Sequence, residues 1–153
     1  MSKLQPKRLL KLADFLENSK TEAKKLGVKG TVKFDMNVYL RNNNDEGYYE
    51  PYAKAKCGTT CCAMGFASIH PWFAKEGLRI KGVVFKPAGM KFFGLNNDDY
   101  DHLFHNSAGT TRQMAKVLRG FVEIKQLNEQ IVTLENRRDR LATDTGYYLY
   151  VEG

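Results

Sequence analysis

Apolar residues recur at helical spacing near the start of the chain. Leu9, Leu12, Ala13 and Leu16 share one face, and Leu10 and Phe15 widen the stripe. Pro6 suits a first helical turn, so the pattern predicts a helix from about Pro6 to Asn18. Ser19 to Lys25 adds a short further turn before Gly27. Thr31 to Leu40 alternates loosely and is rich in β-branched and aromatic residues, which predicts an extended segment or a short helix after Asp35. A polar loop, Arg41 to Gly47, leads to an aromatic cluster of Tyr48, Tyr49 and Tyr52. Thr59 to Ile69 is small or apolar on most faces, as a buried central helix would be, with Thr59 or Thr60 as its cap and His70-Pro71 as its stop.

Leu78 to Phe85 reads as a strand, followed by a turn at Pro87-Ala88-Gly89. The acidic run Asn96 to Asp99 suits the start of a short helix that ends near Leu103-Phe104. Thr110 or Thr111 then caps a long helix whose apolar face is Met114, Val117, Leu118, Phe121 and Ile124. The pattern continues as Leu127, Ile131, Leu134 and Leu141, with Arg138 in the gap. That is under three heptads, so packing on the parent domain is favoured over a dimer seam. The pattern also admits a break near Gly120 or between Val122 and Lys125. Tyr147 to Val151 reads as a terminal strand. The elements together predict an α+β fold. It would be one compact domain, a small, mostly antiparallel sheet packed against the buried central helix and outer helices.

A length of 153 residues agrees with one domain. The formal charge is +7, which excludes an acidic, nucleic-acid-mimicking surface. The first 34 residues carry nine basic side chains against three acidic ones, so nearly all the excess lies there. Lys3, Lys7, Arg8, Lys11, Lys24 and Lys25 are the candidate patch. They could contact phosphates, with Tyr48, Tyr49 and Tyr52 stacking on bases. No helix-turn-helix, RNP or zinc-finger signature accompanies them, and a solvated helix face is the commoner use of such residues. No run approaches the ~20 apolar residues that span a bilayer. The charged N-terminus lacks the apolar core of a signal peptide, and the three cysteines, Cys57, Cys61 and Cys62, are odd in number and clustered. These features predict a cytoplasmic protein with no membrane partner.

The most unusual string is Cys57-Gly58-Thr59-Thr60-Cys61-Cys62-Ala63-Met64-Gly65-Phe66-Ala67. The favoured reading is structural: buried cysteines behave as small hydrophobes beside Ala63, Gly65 and Ala67. Three chemical readings compete. Cys57, Cys62 and His70, joined by His102 or His105, could hold a metal, although the spacing is looser than a zinc hairpin. Cys57 just before a helix could be a nucleophile. Gly58-Thr59-Thr60 could receive a phosphate at a helix start, although no Walker loop is present. Separately, Asp98, Asp99 and Asp101 with His102 and His105 could form a divalent-cation cluster, against the commoner solvated cap. No cofactor is expected.

The same string resembles the C-G-T-x-x-C-x-x-G-[W/H/F]-A signature of a family of small uncharacterised proteins from bacteriophages and bacteria. The resemblance runs from residue 4 to about 122. It includes Leu12-Ala13-Asp14-Phe15-Leu16, Phe34-Asp35-Met36, Phe93-Gly94-Leu95, Leu103-Phe104 and a final helix over Gln113 to Val122. Tyr39 and Phe66 stand where tryptophan, or tryptophan or histidine, is usual. The resemblance implies a core over 1–122, with Cys57, Gly58, Thr59, Cys62 and Gly65 as structural motif residues. Residues 123–153 become a helix and strand extension of the same domain. It also implies a phage origin and no particular chemistry.

The resulting expectation is a non-enzymatic, phage-type accessory protein in the host cytoplasm. It would bind and modulate a host or phage macromolecule, inhibition of a bacterial defence system being one version. The contact would be the basic N-terminal helix or the C-terminal extension. The chain would be a monomer, or a homodimer through Leu127, Ile131 and Leu134. The alternatives are a nucleic-acid-binding accessory protein and a cysteine- or zinc-dependent enzyme.

Overall fold

In the computed structural model, residues 3–25, 33–36, 40–41, 60–80, 85–106 and 108–147 are described. Pro6 opens the first helix, where its missing N–H costs nothing. The elements in order are α1 (Pro6–Glu17), α2 (Ser19–Lys25), β1 (Lys33–Phe34), β2 (Leu40–Arg41), β3 (Thr60–Cys61), α3 (Ala63–Ile69), α4 (Pro71–Lys75), α5 (Lys86–Phe93), α6 (Asn97–Phe104) and α7 (Thr111–Thr145).

The expected α+β architecture is overturned, because the described chain is mostly helical. The strands are two residues each and form no layer. β3 pairs parallel with β1 and antiparallel with β2, so even this small patch is mixed, where a mostly antiparallel sheet was expected. Two-residue strands cannot present an alternating face to a core, and packing here is left to helices. The expected turn at Pro87-Ala88-Gly89 is the first turn of α5, with Pro87 at its start. Gly89 is there for room: a Cβ would lie 2.8 Å from Cε2 of Tyr100 and 3.0 Å from Cε of Met64. Of the expected strand over 78–85, Leu78 to Ile80 and Phe85 are irregular, and 81–84 lie outside the described residues.

Each helix has a local reason for its ends. Asn96 caps α6 by accepting from the Asp99 N–H at 2.7 Å. Thr110 caps α7 by accepting from the Gln113 N–H at 3.1 Å, and the Gln113 amide reaches back to the Gly109 N–H at 2.9 Å. This is close to a capping box. Gly94 ends α5 in the left-handed region, at φ 68°. A side chain there would collide with the Lys3 carbonyl, so Gly94 also lets the N-terminal segment pass. Gln5 N–H then donates to the Phe93 carbonyl at 2.9 Å.

α3 is buried along its whole length, as its apolar composition requires, and its cap position is Cys62. α1 buries Leu9, Leu12, Ala13, Phe15 and Leu16 and makes the fold's most extensive helix pairing with α7. The matching α7 residues are Met114, Ala115, Leu118, Phe121 and Val122. These side chains share one core with α3, Phe73, Phe92, Phe93, Tyr100, Leu103 and Phe104. Arg119 fastens the pair from outside, 2.9 Å from Asp14 and 2.6 Å from Glu17.

α7 is unbroken through Gly120 and runs 35 residues. At 1.5 Å per residue it is about 52 Å long. Its burial stops at Val122, and from Gln126 to Leu141 every side chain is exposed. The distal half is therefore an arm that leaves the packed body. Tyr147 follows the helix, and the rest of the expected terminal strand lies outside the described residues.

Candidate functional site

The basic N-terminal residues are not one free patch. Arg8 donates to the carbonyls of Phe92 (2.8 Å) and Glu76 (3.2 Å), and its guanidinium lies 4.2 Å from the Phe92 ring centre. It closes the end of α5 against α1. Lys11 lies over Phe15 and Trp72, at 5.1 and 5.5 Å. Lys25 pairs with Glu22 at 3.3 Å. Lys3, Lys7 and Lys24 are exposed.

The cysteine motif is only partly described. Cys57, Gly58 and Thr59 lie outside the described residues, as do Tyr48, Tyr49 and Tyr52. Cys62 is buried, and burial pushes its thiol up from the ordinary value, which favours the neutral, unreactive form. Gly65 is buried within α3.

His70 joins helices. It ends α3 and caps α4, with Nδ1 accepting from the Trp72 N–H at 3.2 Å. That bond assigns the proton to Nε2, which donates to Oε2 of Glu22 on α2 at 2.9 Å. The ring stacks on Phe15 with centroids 3.6 Å apart. Burial holds the imidazole below its ordinary value and outweighs the opposing pull of Glu22. Burial also pushes the Glu22 carboxyl up, but hydrogen bonds from His70 and Lys25 bring it below its usual range. Both ring nitrogens thus already serve the fold.

The acids of α6 are answered by nearby cations. Asp101 lies 2.7 Å from Lys86 and 3.2 Å from Nδ1 of His105, and the Lys86 hydrogen bond holds its carboxyl below the ordinary value. Asp99 pairs with Lys125 at 3.1 Å, tying α6 to α7. Asp98 and His102 are exposed. Among the described residues, no group of three His, Cys, Asp or Glu side chains converges as metal ligands.

The feature that departs from an ordinary surface is the α7 arm. Ile124, Leu127, Ile131, Leu134 and Leu141 are 59, 49, 51, 62 and 53% exposed. At 100° per residue their stripe lies roughly half a turn from the buried face of Met114, Leu118 and Val122. The direction of that buried face continues along the arm through the polar Lys125, Glu129, Thr133 and Asn136, with Val132 as the one large apolar side chain beside them. The apolar face of α7 therefore changes sides where the helix leaves the body. At the change, Val117, Gly120 and Ile124 with Asp99, Lys116 and Lys125 are among the residues lining an open hollow of about 410 Å³.

The expected packing of Leu127, Ile131 and Leu134 on the parent domain is overturned, since all three are exposed, and the change of face that explains it follows from angular arithmetic on the sequence. No family model, curated protein or solved structure matches the chain. Among the described residues, no helix is long and apolar enough to cross a membrane.

Proposed function

We propose that the chain is a non-enzymatic interaction protein, and that the arm of α7 is the surface with which it holds another polypeptide. The observation that carries this reading is the change of face. The first turns of α7 are anchored in the core, and the apolar residues beyond are presented on the other side of the same continuous helix. A helix already folded before contact loses little further conformational freedom on binding, which favours recognition. Apolar positions at steps of three and four suit a helical partner.

In the phage-type form of this proposal, suggested by the motif resemblance, the complex occludes a host or phage macromolecule, a bacterial defence component being one such target. The basic segment supports a nucleic-acid role less well, because Arg8 is consumed by backbone carbonyls and Lys25 by Glu22. The test compares the tagged full chain with its Leu127→Asp/Leu134→Asp variant. The intact protein should hold a polypeptide, its own or foreign, in near-stoichiometric amount, and the variant should release it while keeping its helical circular dichroism. Identical retention by both, or a monomeric intact protein that holds nothing, would sink the proposal.

A further inference from the structure

We infer that the arm's apolar seam is covered by the same seam of a second copy of this chain, running antiparallel. This rests on the reading of α7 as an interaction arm. The seam reads Val117, Gly120, Ile124, Leu127, Ile131, Leu134, Arg138, Leu141, in alternating steps of three and four. That is a heptad repeat with β-branched residues at most a positions and leucine at most d positions, the narrow stripe of a two-stranded coiled coil. Such a stripe is complementary to itself, which is what a two-fold pair requires. From Ile124 to Leu141 it is about 26 Å long. An isolated helix of this size would be marginal in water, but this one grows from a packed helix and needs no nucleation.

Charge selects the direction. In a parallel pair Arg138 would face Arg138, and the flanking Glu123, Gln130 and Arg137 would meet Asn128, Glu135 and Ala142, forming no ion pair. In an antiparallel pair that sets Leu127 against Ile131 of the other copy, Ile124 meets Leu134 and Val117 meets Leu141. Glu123 then meets Arg137 twice, by symmetry. Sliding the pair by one heptad, so that Ile131 faces Leu134, would instead oppose Glu123 to Asp144.

The chosen register also accounts for Gly120. It brings Arg138 of the second copy over this glycine, where an added side chain would meet nothing within 4 Å. The hollow receives the long arginine stem, and the guanidinium exchanges its bond to Asp139 for a place beside Lys125 at Asp99, with Lys116 on the same wall. A glycine in mid-helix is otherwise unfavourable. The two bodies sit at opposite ends of the paired arms.

The experiment measures the mass of the full chain by sedimentation equilibrium at tens of micromolar, with charge-swap variants. The intact protein should have twice the chain mass. Glu123→Arg alone, and Arg137→Glu alone, should each raise the dissociation constant about tenfold. The double variant should return it to near the starting value, because the swap rebuilds both pairs only in the antiparallel register. A dimer that the double swap does not restore overturns the inference. A monomer that holds a foreign polypeptide through Leu127 and Leu134 overturns it too, yet leaves the interaction-arm reading standing. A monomer that holds nothing overturns both.

Discussion

His70 draws its role from its bonds: it joins α2, α3 and α4 through one imidazole ring. A histidine near clustered cysteines invites a metal, a reading the sequence holds open with Cys57 and Cys62 beside the favoured structural one. Its position between two helices, directly before Pro71, was the better signal: the residue ends α3 and caps α4. The stacked ring and the two engaged nitrogens require the neutral form. The unfolded chain titrates near the ordinary 6.5, whereas the folded value is lower. Between the two values the unfolded chain binds more protons, so stability falls as pH falls. The contribution is complete above about pH 6.5 and is lost toward the folded value. Glu22 adds its own loss below its ordinary 4.5, since its folded value is also lowered. Urea midpoints taken from pH 7.5 to 5.5 should therefore decline in the intact protein. They should decline less in His70→Asn, which keeps a capping oxygen but does not titrate. Equal slopes would remove His70 as the cause.

At the scale of elements, legibility followed the length of each pattern and its caps. α1, α6 and the start of α7 carry several turns of periodic residues or a clear cap, and their expected bounds agree with the structure. The paired segments over 33–34, 40–41 and 60–61 are too short to carry a period of two, so the expected sheet had no reliable signature. In the sequence Pro87 and Gly89 look like the two ends of a turn. One opens α5 and the other makes room for Tyr100, facts that depend on tertiary neighbours. Gly120 raised the same question inside α7, where a break stood open. The helix continues through it, and a glycine there costs roughly 1 kcal/mol relative to alanine. Since an added Cβ meets nothing, Gly120→Ala should raise the stability of the chain by roughly 0.5–1 kcal/mol. Urea unfolding at sub-micromolar concentration would measure this apart from association. The same change should weaken the pairing of arms, because it narrows the hollow that takes Arg138. A loss of stability in dilute protein would mean that something of the chain itself occupies the hollow.

At the scale of the molecule, the packed body and the arm share one helix but draw on different interactions. Every buried α7 side chain lies between Met114 and Val122, and the two ion pairs of Arg119 fall in the same stretch. Beyond Lys125, which ties to Asp99, the arm makes no ion pair to the body among the described residues. The distal residues thus add helical hydrogen bonds in solvent and little burial, and local opening there need not disturb the core. A chain ending after Asn128 should keep the cooperative unfolding of the body, with a urea midpoint close to that of the intact protein in its monomeric range. It should lose helical ellipticity in proportion to the missing turns, and the concentration dependence of its unfolding should vanish, because mass action stabilises only a chain that still has its partner surface. Circular dichroism across a hundredfold range of concentration would test all three expectations. A large drop in the midpoint at every concentration would show that the arm, or the segment after it, packs against the body and is part of its core.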